Sequence, residues 1–107
     1  MTLPAVPTMK ILAISHPGKN HASQEQFAAL LQHEARETVG AYLNGKIDQW
    51  YFQTERNGVV FLVNATTVEE ARGVLEQFPL GKAGFMDFDY IALGPLSPLR
   101  LLANIPS

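Results

Sequence analysis

Lys46-Ile47-Asp48-Gln49-Trp50-Tyr51-Phe52-Gln53-Thr54-Glu55-Arg56-Asn57-Gly58-Val59-Val60-Phe61-Leu62-Val63 is the stretch that decides the fold. Aromatic and β-branched residues fill both of its arms, and such side chains suit a pleated strand. Between the arms, Arg56-Asn57-Gly58 carries the turn residues that adopt positive φ at little steric cost, so the stretch reads as a β-hairpin.

Working outward from the hairpin, each flank reads as a helix. Upstream, Ser23 and Gln26 have the spacing of a capping box, which predicts a long helix from about Ser23 to Leu43, stopped by Asn44-Gly45. Downstream, Thr67 and Glu70 form a second capping box. The helix it opens carries Val68, Ala71, Leu75 and Phe78 along one side and ends before Pro79. Farther out, Ile11-Leu12-Ala13-Ile14 has strand length and is closed by His16-Pro17-Gly18, while Met86 to Leu93 alternates apolar and acidic residues as a last strand. Gly81-Lys82-Ala83-Gly84 reads as a flexible turn before it. The order strand, helix, strand, strand, helix, strand is that of an α+β, ferredoxin-like split βαβ domain (βαββαβ) with a four-stranded antiparallel sheet. The expected boundaries are a loose N-terminal arm over 1–8, the domain over 9–94, and a C-terminal tail over 95–107.

Neither Ile11–Ile14, Trp50–Phe52 nor Val59–Val63 alternates apolar with polar residues, so both faces of the sheet read as apolar. Two helices cover one face only. The other is expected to meet a second copy of the same sheet, with the tail docking on the dimer.

Composition removes several classes of function. The chain has 107 residues, 47% hydrophobic and 17% charged, which fits one globular domain. Eight basic and ten acidic residues leave a net charge of −2, without the basic stripe that a phosphate backbone requires, so no nucleic acid is expected as a partner. There is no cysteine, hence no disulfide, thiolate metal site or thiol nucleophile. No apolar run reaches the roughly 18 residues of a membrane span. The N-terminus lacks the basic-then-apolar order of a secretory signal, and the expected location is cytoplasmic. The glycine spacing of Gly40 to Lys46 imitates a phosphate loop, yet it ends a helix and offers Ile47 where Ser or Thr would bind magnesium.

Chemistry is expected on the long helix. At 100° per residue Phe27, Leu30, Leu31, Thr38, Ala41 and Tyr42 share a side, and Glu34 lies in the middle of that stripe. A carboxyl there loses hydration, which raises its pKa toward the range of a general acid or base. The other reading is a Glu34 salt-bridged to Arg56 or Arg100. His16 ends the first strand at an expected pocket mouth, and His33 lies beside Glu34 but off the stripe; both are candidates for proton transfer. Tyr51 is a candidate to place its hydroxyl beneath the helix, Arg56 to hold a ligand carboxylate, and Trp50 and Phe27 to wall the pocket. The histidines lack the i, i+4 spacing of a zinc site, so no metal is expected.

From about His33 to Pro95 the chain resembles the muconolactone isomerase family of the dimeric α+β barrel superfamily. The resemblance rests on His33-Glu34, Gly45, Trp50-Tyr51, the hairpin into Val59–Val63, Thr67-Val68-Glu69-Glu70-Ala71 through Leu75-Glu76-Gln77-Phe78-Pro79-Leu80, Met86-Asp87-Phe88-Asp89 and Gly94-Pro95. It implies a homodimer or higher homo-oligomer of barrel dimers and a cofactor-free proton shift on a small lactone or carbonyl substrate, with Glu34 as proton carrier. Alternatives on the same scaffold are a cofactor-free monooxygenase, an aromatic or polyketide cyclase, and a ligand-binding module without catalysis.

Overall fold

The computed structural model describes residues 7–56 and 58–95. The expected tail after Pro95, Arg100 within it, and most of the expected N-terminal arm lie outside the described residues. The elements run β1 (Lys10–Pro17), α1 (Gln24–Leu43), β2 (Ile47–Phe52), β3 (Val59–Val63), α2 (Val68–Leu75), α3 (Pro79–Lys82) and β4 (Met86–Leu93). Apart from α3 this is the expected order. All pairings are antiparallel in one open sheet ordered β2-β3-β1-β4, an α+β arrangement compatible with a ferredoxin-like fold.

β1 outruns its apolar stretch. Ile11 to Ile14 pair with Val63 to Val60 on one side, but beyond Ile14 only β4 accompanies the strand, as far as Pro17 opposite Met86. Proline is tolerated there because only one flank still needs ladder hydrogen bonds. Where the β1–β3 ladder stops, the buried Ser15 hydroxyl accepts the Val59 N–H at 2.8 Å and replaces the missing carbonyl.

The aromatic arm of the hairpin solves its own lack of alternation with a bulge. Ile47 pairs with Val63 and Gln49 with Leu62, leaving Asp48 as the extra residue. The slip lets Ile47, Trp50 and Phe52 share the helix-side face, while Gln49 and Tyr51 turn to the other. On the helix side, Ile11, Ala13, Phe61, Val63 and Phe88 form the core with Ala41 of α1, Ala71 and Leu75 of α2, and Phe78. Phe61 is its centre, with the rings of Phe78 and Phe88 at centroid distances of 6.2 and 5.8 Å. Register places Leu12, Ile14, Val60, Leu62, Tyr51 and Ile91 together on the opposite face, which no helix covers among the described residues. Both faces of the sheet are therefore apolar at the centre.

Both α1 and α2 start where expected, α1 with a complete capping box and α2 with half of one, because Glu70 Oε1 accepts the Thr66 N–H and not that of Thr67. Ser23 and Gln26 exchange backbone and side-chain hydrogen bonds at 3.1 and 2.9 Å, and the Thr67 hydroxyl accepts the Glu70 N–H at 3.1 Å. Two expectations are corrected here. Of the α1 stripe only Glu34, Thr38 and Ala41 are buried; Phe27 and Leu31 stay exposed because the N-terminal half of the helix stands off the sheet, and Tyr42, in the last turn, is exposed as well. Pro79 does not end α2, which already stops at Leu75 and leaves Phe78 as the N-cap of α3. The proline occupies the first turn of α3, where its fixed φ and absent N–H cost nothing, so the segment read as a flexible turn is a short helix followed by a fixed bend. By contrast, Gly73 lies exposed within α2 with open space where a Cβ would go. Gly73→Ala is expected to raise stability by about 0.5–1 kcal/mol, read from chemical denaturation, because alanine loses less backbone entropy in a helix.

Candidate functional site

The standoff of α1 leaves a cleft of about 890 Å³ between that helix and the β2–β3 end of the sheet. Phe27, Leu31, Glu34 and Thr38 recur on α1 at steps of four, three and four, so one helical face forms the roof. Trp50 and Phe52 of β2, Val59 and Phe61 of β3, and Met86 of β4 form floor and rim, and Leu80 of α3 closes the inner end. Tyr42 meets Trp50 edge to face at 4.9 Å and fixes the indole against the helix.

Glu34 is 9% exposed and points into this space. Its Oε1 accepts the Leu80 N–H at 2.9 Å. Leu80 follows Pro79 at the start of α3, so its N–H is the first free donor of that helix; it has no intrahelical acceptor, and Glu34 takes that place. Burial pushes the Glu34 carboxyl above its ordinary value; the Leu80 N–H works against the rise, and the nearby Glu37 charge adds to it. The backbone carbonyl of Glu34 accepts the Thr38 hydroxyl at 2.8 Å, which takes that hydroxyl out of the cleft's chemistry. Glu34 takes part in no salt bridge among the described residues, and Arg56, one of its two proposed partners, instead donates from Nε to Gln53.

The other singled-out residues divide between three places. Phe27 and Trp50 line the cleft with Glu34. His16 and Tyr51 lie on the opposite face of the sheet, because β1 residues of even number and the post-bulge odd residues of β2 point away from the helices. There His16 has Nδ1 3.0 Å from the Pro17 carbonyl and Nε2 3.5 Å from Asp89, and the Tyr51 hydroxyl donates to Gln49. His33 is exposed on α1, and Arg56 is exposed in the hairpin turn. The expected grouping of Glu34 with His16, Tyr51 or Arg56 around one ligand is thus not formed within a subunit. No group of three His, Asp or Glu side chains converges among the described residues.

Sequence reasoning missed the Leu80 N–H, although Pro79 at a helix start was a readable sign of a donor one residue later. It also left Phe52, Val39 and Met86 without a role, since nothing in the spacing announces that α1 stands off the sheet. No helix among the described residues is long and apolar enough to cross a membrane. No family model matches the chain, and no curated protein matches it.

Proposed function

We propose that the protein is a cofactor-independent enzyme that moves a proton next to a carbonyl, with Glu34 as acid and base and the cleft as substrate site. The carrying observation is the buried Glu34 carboxyl, held by one backbone N–H and facing apolar space. One Glu34 oxygen is engaged by Leu80, which fixes the side chain and leaves the other oxygen for the ligand. A carboxylate with a raised pKa both accepts a carbon-bound proton and returns it near neutral pH. Trp50 offers an indole N–H for the substrate oxygen as enolate charge develops. His16 and Tyr51 have no part in this single-subunit arrangement. The resemblance to the muconolactone isomerase family agrees with a carboxylate on this helix as the proton carrier.

The test does not require the natural substrate. In D₂O the protein is expected to exchange the α-protons of a lactone or an aryl methyl ketone saturably: Glu34 takes the C–H proton to give the enolate, exchanges it with solvent and returns deuterium. Mass spectrometry reads the product. Exchange no faster than in buffer with both compounds would refute the proposal.

Homo-oligomerisation through the open sheet face belongs to the same reading. Leu12, Ile14, Val60 and Leu62 stand at its centre, and each such side chain removed from water contributes roughly 1.5–3 kcal/mol. Ile14→Glu places an unpaired charge there and is expected to yield monomer in analytical ultracentrifugation where the parent chain is a dimer or larger. A parent chain that sediments as a monomer would remove this part of the proposal.

A further inference from the structure

The cleft's lining also bears on what the substrate is. Among the described residues Glu34 is the only ionisable side chain that lines it, and Arg56, the expected holder of a carboxylate, lies outside in the hairpin turn. An anionic ligand would meet a carboxyl group and no cation, in surroundings of low dielectric where repulsion is weakly screened. Four aromatic rings, Phe27, Trp50, Phe52 and Phe61, face the space from helix and sheet. Phe52 is 80% exposed, Leu31 49% and Phe27 36%, an apolar rim left in water that a flat ligand would cover. The volume of about 890 Å³ lies in the range of about 300–1,000 Å³ typical of small-molecule sites.

Resting on the assignment of Glu34 as the group that faces the ligand, we infer that the cleft selects an uncharged, planar, largely apolar carbonyl compound of two or more fused rings and rejects carboxylates of the same shape. The carbonyl oxygen sits toward Trp50, the α-carbon toward Glu34, and the rings between Phe27 and the sheet.

The matched probes are 2-acetylnaphthalene and 2-naphthoate, one ring system with and without charge. Trp50, the chain's single tryptophan, reports their binding by fluorescence quenching. The ketone is expected to bind saturably and at least tenfold more tightly than the carboxylate. Ala35→Phe, which fills the cleft from an exposed helix position, is expected to weaken the ketone at least tenfold. Leu31→Lys, at the exposed rim, supplies the missing cation and is expected to strengthen 2-naphthoate at least tenfold. Equal binding of the two probes, no binding of either, indifference to both variants, or a ketone dissociation constant that rises with protein concentration because a second copy fills the cleft, would each overturn the inference. A ketone bound selectively but never deuterated would sink the acid–base role and leave the ligand class standing. Deuteration with no preference for the neutral probe would do the reverse.

Discussion

Glu34→Gln is expected to slow α-deuteration by about 10²–10⁴-fold, the usual contribution of a positioned acid–base group. The substitution is nearly isosteric, and the Gln amide oxygen can still accept the Leu80 N–H that Glu34 now holds at 2.9 Å. What disappears is the capacity to carry a proton, so the loss should fall on turnover with little change in ketone affinity. On the proposed mechanism the parent protein works through the carboxylate, whose pKa burial raises above 4.5. Its rate should therefore climb with pH through a midpoint above that value, and the Gln variant should lose this limb. Stability moves the opposite way. A raised folded-state pKa means that the folded protein favours the protonated form; the stability this confers is present below 4.5 and is lost as pH rises through the folded-state value. Glu34→Gln should accordingly melt above the parent at about pH 8 and close to it at about pH 4. Glu34→Ala differs in kind, because it leaves the Leu80 N–H without its acceptor at a cost of about 1–3 kcal/mol. A Gln variant with near-parental exchange would take Glu34 out of the mechanism.

What the sequence disclosed follows from how local each signal is. Ser23 with Gln26 and Thr67 with Glu70 announce helix starts because the bonds they make span three residues. The hairpin was readable from Gly58, whose φ is 152° in the structure, and the apolar character of both sheet faces from the absence of alternation. Glu34 was found because a charge on an apolar stripe is anomalous at any tertiary arrangement. Which residues join it was not readable, since that depends on longer-range geometry. One extra residue at Asp48 decides that Trp50 faces the cleft and Tyr51 does not. The parity of β1 sends His16 to the far face, a consequence of which residues pair with Val60 to Val63 and not of anything near His16. The distance of α1 from the sheet is set by the elements against which the helix rests. Among these is α3, whose four residues are too few for a periodic signal.

Gly18→Ala is expected to cost about 3 kcal/mol, toward the upper end for overpacking, and to lower Tm by about 12–20 °C for a domain of this size. A Cβ on Gly18 would sit 2.1 Å from the Gly84 carbonyl oxygen, 2.7 Å from its carbon and 2.9 Å from the Met86 nitrogen. All three are backbone atoms, so no side-chain rotation relieves the clash. The strand end and the bend must separate. That would break the Gly18 N–H bond to the Phe85 carbonyl at 3.1 Å and the Asn20 N–H bond to the Gly84 carbonyl at 2.9 Å. Gly84 cannot move alone. Its φ of 76° fixes the bend, its N–H is bonded to the Gly81 carbonyl, and the next N–H, that of Phe85, donates to the Leu80 carbonyl. Leu80 in turn holds Glu34, so damage at Gly18 is transmitted to the Glu34 carboxyl through a continuous run of backbone. Loosening the Leu80 N–H removes the contact that opposes the rise in the Glu34 pKa. The variant's exchange rate should therefore reach its half-maximum at higher pH than the parent's, measured well below its lowered Tm. Amide NMR should show the Leu80 resonance displaced. A variant that melts with the parent, or one destabilised but with an unchanged pH midpoint, would show that the bend does not support the carboxyl.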